Sequence, residues 1–226
     1  MRPGADAAPG LNVVMLGPPG AGKGTQAERL ALKRGLPRIS TGDILREAVQ
    51  EGSPLGAVAK ATMDAGRLVG DDVMIGIVQG RLDRADAKHG FVLDGFPRTV
   101  EQASALDLMV GGRGPLVVLD VVVPEDVLVQ RLATRRICGK CGANAAVHWT
   151  AACEKCGGGL VARIDDGDEI VRERLKVYQR QSQPLVDYYS VRGTFRSIDG
   201  NQPADVVTAA VEAALNAAAS AGGVVL

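Results

Sequence analysis

The sequence predicts an α/β fold in which helices cover both faces of a parallel sheet of short strands. Three observations carry this. The strand-like runs are continuously apolar rather than alternating, as strands buried on both faces are. Helical stretches separate them, the order that a parallel sheet needs. A glycine-rich loop joins the first strand to the first helix.

LNVVML (Leu11–Leu16) is rich in β-branched residues and reads as the first strand; glycines end it, and a helix follows over 22–34. Further strands are expected at 91–93, at 116–123 and, more weakly, at 195–198. Helices are expected at 44–50, 54–65, 71–82, 100–109, 124–135, 169–189 and 204–219. Asp71 reads as an N-cap and Pro124 as a first-turn proline. From 137 to 162 the helical period vanishes, and all four cysteines, the one Trp and several glycines gather there. That stretch reads as a small insertion between two helices. Residues 1–10 are Pro-, Gly- and Ala-rich and read as a disordered extension.

Composition narrows the function. With 226 residues and 46% hydrophobic content the chain can bury a domain core, despite 29 Gly and 11 Pro. Lys plus Arg and Asp plus Glu are equal at 26 each, so no global field draws it to nucleic acid or membrane. Phosphate binding must therefore be local. The longest apolar run, 116–123, is interrupted by Asp120 and is far too short to span a bilayer. The opening MRPGADAAPG lacks the apolar segment of a secretory signal. A cytoplasmic protein without nucleic-acid or membrane partners is expected.

GPPGAGKGT (17–25) contains G-x-x-x-x-G-K between a strand and a helix, the setting in which this motif cradles phosphates. Its glycines let backbone N–H groups turn toward an anion, the helix N-terminus adds partial positive charge, and Lys23 supplies a mobile cation. Gly24 stands where the general motif has Ser or Thr, which argues against direct metal ligation by a hydroxyl there.

Cys138-x-x-Cys141 and Cys153-x-x-Cys156, eleven residues apart and each followed by Gly, have the spacing of a tetrahedral Zn²⁺ site. Two disulfides are the competing arrangement, disfavoured in a nucleotide-binding chain without a secretory signal. Four cysteines leave no open coordination position, so the ion is expected to be structural, replacing a core that so short a stretch cannot bury. His89 and His148 are not needed as ligands, and His148 beside Trp149 reads as packing.

The variant phosphate loop, STGD (40–43), MDAGRLV (63–69), DGFPRT (94–99), RLATRR (131–136) and RIDDGDEIVRERL (163–175) together resemble the adenylate kinase family, over about 11–214. The resemblance implies a phosphate-loop three-layer fold with a five-stranded parallel sheet and an inserted zinc-ribbon lid. Core segments would be 11–39, 70–135 and 165–226, with an AMP-binding segment at 40–69 and a zinc lid at 136–164. It also implies a monomer that catalyses ATP + AMP ⇌ 2 ADP with Mg²⁺.

Taken singly, each arginine of these motifs is a solvated surface charge. By resemblance, Arg46 and Arg98 hold the acceptor phosphate, Arg135 contacts donor phosphates, and Arg163 and Arg174 close over the transferring group. Arg131 stacks on the donor adenine, and Gln202 offers it a backbone carbonyl. Lys23 with Gly20, Ala21, Gly22, Gly24 and Thr25 cradles the donor phosphates. Thr41, Gln102, Met63, Arg67, Leu68, Val69 and Gly95 form the AMP pocket. Asp94 orders Mg²⁺ through water. Asp165 and Asp166 tie the lid shut, start the next helix, or both. Arg136 reads as a solvated charge.

One departure concerns the lid. The family carries an aromatic and a His after the first cysteine pair, whereas this chain has Gly142, Ala143, Asn144, Ala145 and Ala146, with Val147, His148 and Trp149 as possible substitutes. Two rivals remain: another nucleoside monophosphate kinase with a GTP donor or a UMP or CMP acceptor, and a nucleotide-switched zinc-ribbon binding protein. The second is disfavoured because the lid offers only Lys140, Lys155 and one Trp as a basic-aromatic surface.

Overall fold

The computed structural model describes residues 10–145, 149 and 151–221. In chain order its elements are β1 (Leu11–Leu16), α1 (Lys23–Arg34), β2 (Arg38–Ser40), α2 (Thr41–Gln50), α3 (Pro54–Asp64), α4 (Asp71–Leu82), β3 (Gly90–Asp94), α5 (Val100–Val110) and β4 (Leu116–Val122). Then come α6 (Glu125–Thr134), β5 (Arg136–Cys138), β6 (Leu160–Ala162), α7 (Asp168–Val177), α8 (Pro184–Ser190), β7 (Phe195–Asp199) and α9 (Ala204–Ala221). Five strands form one parallel sheet in the order β2-β3-β1-β4-β7, while β5 and β6 pair antiparallel as a separate ribbon.

Strand alternation divides the core into two layers. Val13, Met15, Val117, Leu119 and Val121 pack with Ala27 and Leu30 of α1, Leu128 and Leu132 of α6, and Val207 and Val211 of α9. Val14, Leu16, Phe91, Leu93 and Val118 pack on the other face with Val78 of α4, Leu106 of α5, and Leu185 and Tyr189 of α8. Each fully buried aliphatic side chain contributes about 1.5–3 kcal/mol. Both faces of β1 and β4 are therefore needed, which is why their sequences do not alternate.

Local chemistry fixes the helix starts. Ser40, Ser53 and Thr99 each accept a backbone N–H from three residues on, capping α2, α3 and α5. Two expected starts move by one residue. Gly70 takes the cap position of α4 and Asp71 is its first residue, because the Asp71 carboxylate is bound to Thr99 Oγ1 and Gln102 Nε2 instead. Pro124 occupies the cap position of α6, one place before the first turn.

The helix expected over 169–189 is broken. Between α7 and α8 lies one π-turn, Tyr178–Ser182, in which Gln183 N–H reaches back to Tyr178 O at 2.8 Å. Pro184 has no N–H to continue an α-helical ladder, and it opens α8 as a first-turn residue. Residues 1–9 of the expected extension, and Ala146, Val147 and His148 of the lid, lie outside the described residues. Among the described residues no helix is long and apolar enough to cross a membrane.

Candidate active site

The site lies at the carboxyl ends of the central strands, where open α/β sheets bind ligands. The loop after β1 turns at Gly17, whose φ of 130° suits glycine, and a Cβ there would stand 2.4 Å from Val121 O of β4. Gly22, at φ 94°, precedes α1, and no side chain caps that helix. The free N–H groups of its first turn and its positive dipole end are thus available to an anion. Lys23 opens the helix and donates from Nζ to Gly17 O at 2.6 Å and to Pro18 O at 2.8 Å. Burial pushes its pKa down to about 8; Asp94 opposes that shift, and Arg98, Arg174 and Arg135 add to it.

STGD has a structural role for each polar residue. Ser40 caps α2 through Asp43 N–H, and Thr41 Oγ1 donates to Gly95 O at 2.9 Å, tying β2 to the end of β3. Asp43 pairs with Arg46 and lies 3.2 Å from Arg38 Nη1. Across the cleft, Arg98 follows the cis Phe96–Pro97 peptide. Its N–H donates to Gln102 Oε1 at 2.8 Å, its carbonyl accepts from Ser182 Oγ at 2.9 Å, and Nε donates to Gly95 O at 2.9 Å. Gln102 is only 2% exposed, and its other end donates to Asp71, so both ends of its amide already have partners.

One cleft collects Lys23, Thr41, Arg46, Met63, Arg67, Leu68, Val69, Gly95, Arg98, Gln102, Arg163 and Arg174. Its cations strain against one another. Desolvation lowers Arg98 and Arg46, with Arg163 adding repulsion to both, and brings Arg174 down to about 10. Two carboxylates answer that charge. Arg163 and Arg174 both pair with Asp165, and Arg135 forks onto Asp166 at 2.5 and 2.6 Å. Arg174 also reaches Asp166 at 2.9 Å, and the Asp166 side chain is 4% exposed. Burial alone would raise the Asp165 pKa, but Arg163 and Arg174 hold it below the usual carboxylate range. Concentrated, desolvated positive charge beside an open helix N-terminus is a receptor for polyanions.

The adenylate kinase family model matches residues 15–194, which include the phosphate loop, the cleft arginines and the cysteine ribbon. The chain belongs to that family. An adenylate kinase of Archaeoglobus fulgidus is 49% identical to it over 212 residues, covering 91% of this chain and 98% of that protein. One of Moorella thermoacetica is 48% identical with the same coverage. One of Thermodesulfovibrio yellowstonii is 50% identical over 204 residues, 87% of this chain and 95% of its own length.

In this member of the adenylate kinase family the four cysteines of the ribbon converge as in a metal site. The four Sγ atoms lie within 4.8 Å of one another. Cys138 and Cys156 stand 3.4 Å apart and Cys141 and Cys153 3.7 Å, too far for disulfides and close to the edge of a tetrahedral thiolate set. The N–H groups of Cys141 and Lys140 point at Cys138 Sγ and lower its pKa to about 6. Lys155, inside the second pair, bonds to Glu28 of α1, so the ribbon rests on the phosphate-loop helix.

Arg131 and Gln202, expected at the donor base, are not among the residues that line the cleft just described. Arg131 Nη2 donates to Gly200 O at 2.9 Å, and Asp199 holds Asn201 N–H and Gln202 Nε2, each at 2.8 Å. Asp165 and Asp166 sit in a 3₁₀ turn, Ile164–Asp166, and α7 starts only at Asp168. Gly24 has helical rather than left-handed backbone, so what it contributes is room: a Cβ there would stand 3.2 Å from Asp94 Oδ2.

Several groups at the site escape the sequence reading. Arg38 donates to Asp94 Oδ2 at 2.9 Å, but its strand is too short to show a period. Ser182 acts from the unexpected π-turn. Asp120, 5% exposed beside Leu16 in the sheet, has an Oδ1 without a hydrogen-bond partner, and burial raises its pKa. Its interruption of an apolar strand is the one signal that the sequence offered.

Proposed function

We propose that this chain catalyses ATP + AMP ⇌ 2 ADP, and that the residues gathered above do so by alignment and charge. The observation that carries this is the convergence of Lys23, Arg46, Arg98, Arg163 and Arg174 on one cleft at the sheet's carboxyl end. An attacking phosphate is already ionised, so the reaction needs positive charge and in-line placement more than a base. Arg46 and Arg98 grip the acceptor phosphate, and Lys23 with the 20–25 backbone grips the donor's. Arg163 and Arg174, paired with Asp165 and Asp166, turn to the transferring group as the lid closes, with Arg135 beside them. Closure excludes water and favours AMP over hydrolysis. Thr41, Gln102 and the 66–69 wall surround the acceptor base. Arg131 and the carbonyl of Gln202 receive the donor base.

Mg²⁺ bound with ATP would neutralise phosphate charge. Asp94 fits it, being a carboxylate, 13% exposed, beside the room left by Gly24. AMP-dependent ADP formation in a coupled assay tests the function; its absence in folded protein refutes it. The protein is read as a cytoplasmic monomer.

The cysteine ribbon is read as a structural Zn²⁺ site. Purified protein is expected to hold about one Zn²⁺ per chain, and Cys153→Ser to lower thermal stability by loosening the lid. Native mass spectrometry that finds two disulfides and no metal refutes this.

Donor selectivity follows from the lid. Asn144 would come within 3.7 Å of a Cβ on Gly24, and Ala145 N–H is bound to Arg136 O, so small and polar groups replace the family's aromatic here. A missing aromatic contact forfeits about 1 kcal/mol of donor binding. Ala145→Tyr is expected to lower the KM for ATP and raise the ATP-to-GTP ratio of kcat/KM. If both stay unchanged, the lid does not read the base through this position.

A further inference from the structure

Beneath Gly24 lies an arginine that the proposed mechanism leaves unused. Arg38 Nη2 donates to Asp94 Oδ2 at 2.9 Å, and Nη1 lies 3.2 Å from Asp43 Oδ2. Arg38 Nε is buried without a hydrogen-bond partner, so the guanidinium is paired through Nη1 and Nη2 to these two carboxylates, with Glu28 of α1 adding a weaker attraction. A Cβ on Gly24 would stand 3.2 Å from Asp94 Oδ2 and 3.4 Å from Arg38 Nη2. In the general phosphate-loop motif that position carries a hydroxyl residue that binds the cation. Here it carries bare backbone, and a guanidinium stands beside it.

We infer that Arg38 is a positioning residue that acts on the metal through Asp94. It is the resident counter-ion of that carboxylate and competes with a divalent cation for Oδ2. The cation is thereby kept from settling before the nucleotide, and Asp43 holds the displaced guanidinium on its other side. This rests on the reading of Asp94 as the Mg²⁺-ordering carboxylate.

The test is Mn²⁺ binding to the full chain without nucleotide, followed by electron paramagnetic resonance. Arg38→Gln is expected to tighten Mn²⁺ about tenfold, since the Coulomb attraction that ties the guanidinium to the Asp94 carboxylate at 2.9 Å is worth roughly that even at the dielectric constant of water. Arg38→Lys keeps the charge but not the fork that spans both carboxylates, and is expected to fall between wild type and Arg38→Gln. In an Asp94→Asn background the Arg38→Gln change is expected to have no effect. A folded Arg38→Gln variant that tightens by less than about twofold overturns the inference, and so does tightening that persists with Asp94→Asn. Arg38→Met keeps much of the aliphatic stem and gives the same readout should the Gln variant not fold. Wild-type turnover separates the two levels: no AMP-dependent ADP formation sinks the reading of the site, whereas normal turnover with unmoved Mn²⁺ affinity sinks only the role of Arg38.

Discussion

Lys23→Met is expected to cut kcat by about 10³-fold or more while leaving the unliganded fold intact. Its ammonium is the one cation anchored inside the loop, on Gly17 O and Pro18 O, and phosphates would take over from those carbonyls. Removing a preorganised donor from developing charge typically costs 10²–10³-fold, and a full charge at the transferred group costs more. Unliganded stability carries a second, independent signature. With its pKa lowered from 10.5 to about 8, native Lys23 loses its proton while the unfolded chain still keeps its own. Between those values the unfolded state binds more protons, so this residue makes stability rise with pH. Below about pH 8 both states are charged and the contribution vanishes as a slope. Denaturant unfolding at pH 7 and pH 10 should show this increment in wild type and not in Lys23→Met. Retained turnover in the variant would end the phosphate-loop reading.

Arg98→Ala is expected to lower kcat/KM for AMP by about 10²–10³-fold, or roughly 3–4 kcal/mol, while direct ATP binding changes little. The backbone at Arg98 is fixed by Gln102 and Ser182, so truncation removes the guanidinium without freeing the loop. Titration calorimetry with ATP alone, set beside the AMP kinetics, separates acceptor from donor. An equal fall in ATP affinity would move Arg98 to the other site.

What the sequence made legible was what local rules govern. The β1–loop–α1 unit could be read because an apolar run, punctuating glycines and a lysine each carry their own physical signal. The α2 start was not foreseen at Thr41, nor was β2, since three residues cannot display a period. The π-turn depends on how Gln183 and Pro184 end a ladder that the apolar pattern continues unbroken. Arg38, Asp71 and Asp120 matter through partners 28 to 56 residues away or through burial, and spacing along the chain records neither. The cleft arginines were located only through resemblance, since nothing local distinguishes Arg98 from a surface charge.

The strand order has a consequence for inheritance. With β3 and β2 on one flank of β1 and β4 and β7 on the other, the residues read as serving the acceptor and those serving the donor base descend from opposite halves of the sheet. The helices within 40–69 contact β3 and the 164–166 turn, whereas Arg131 binds the loop after β7. On that reading the two base selectivities can drift separately under selection. A lineage could change its acceptor base without renegotiating its donor.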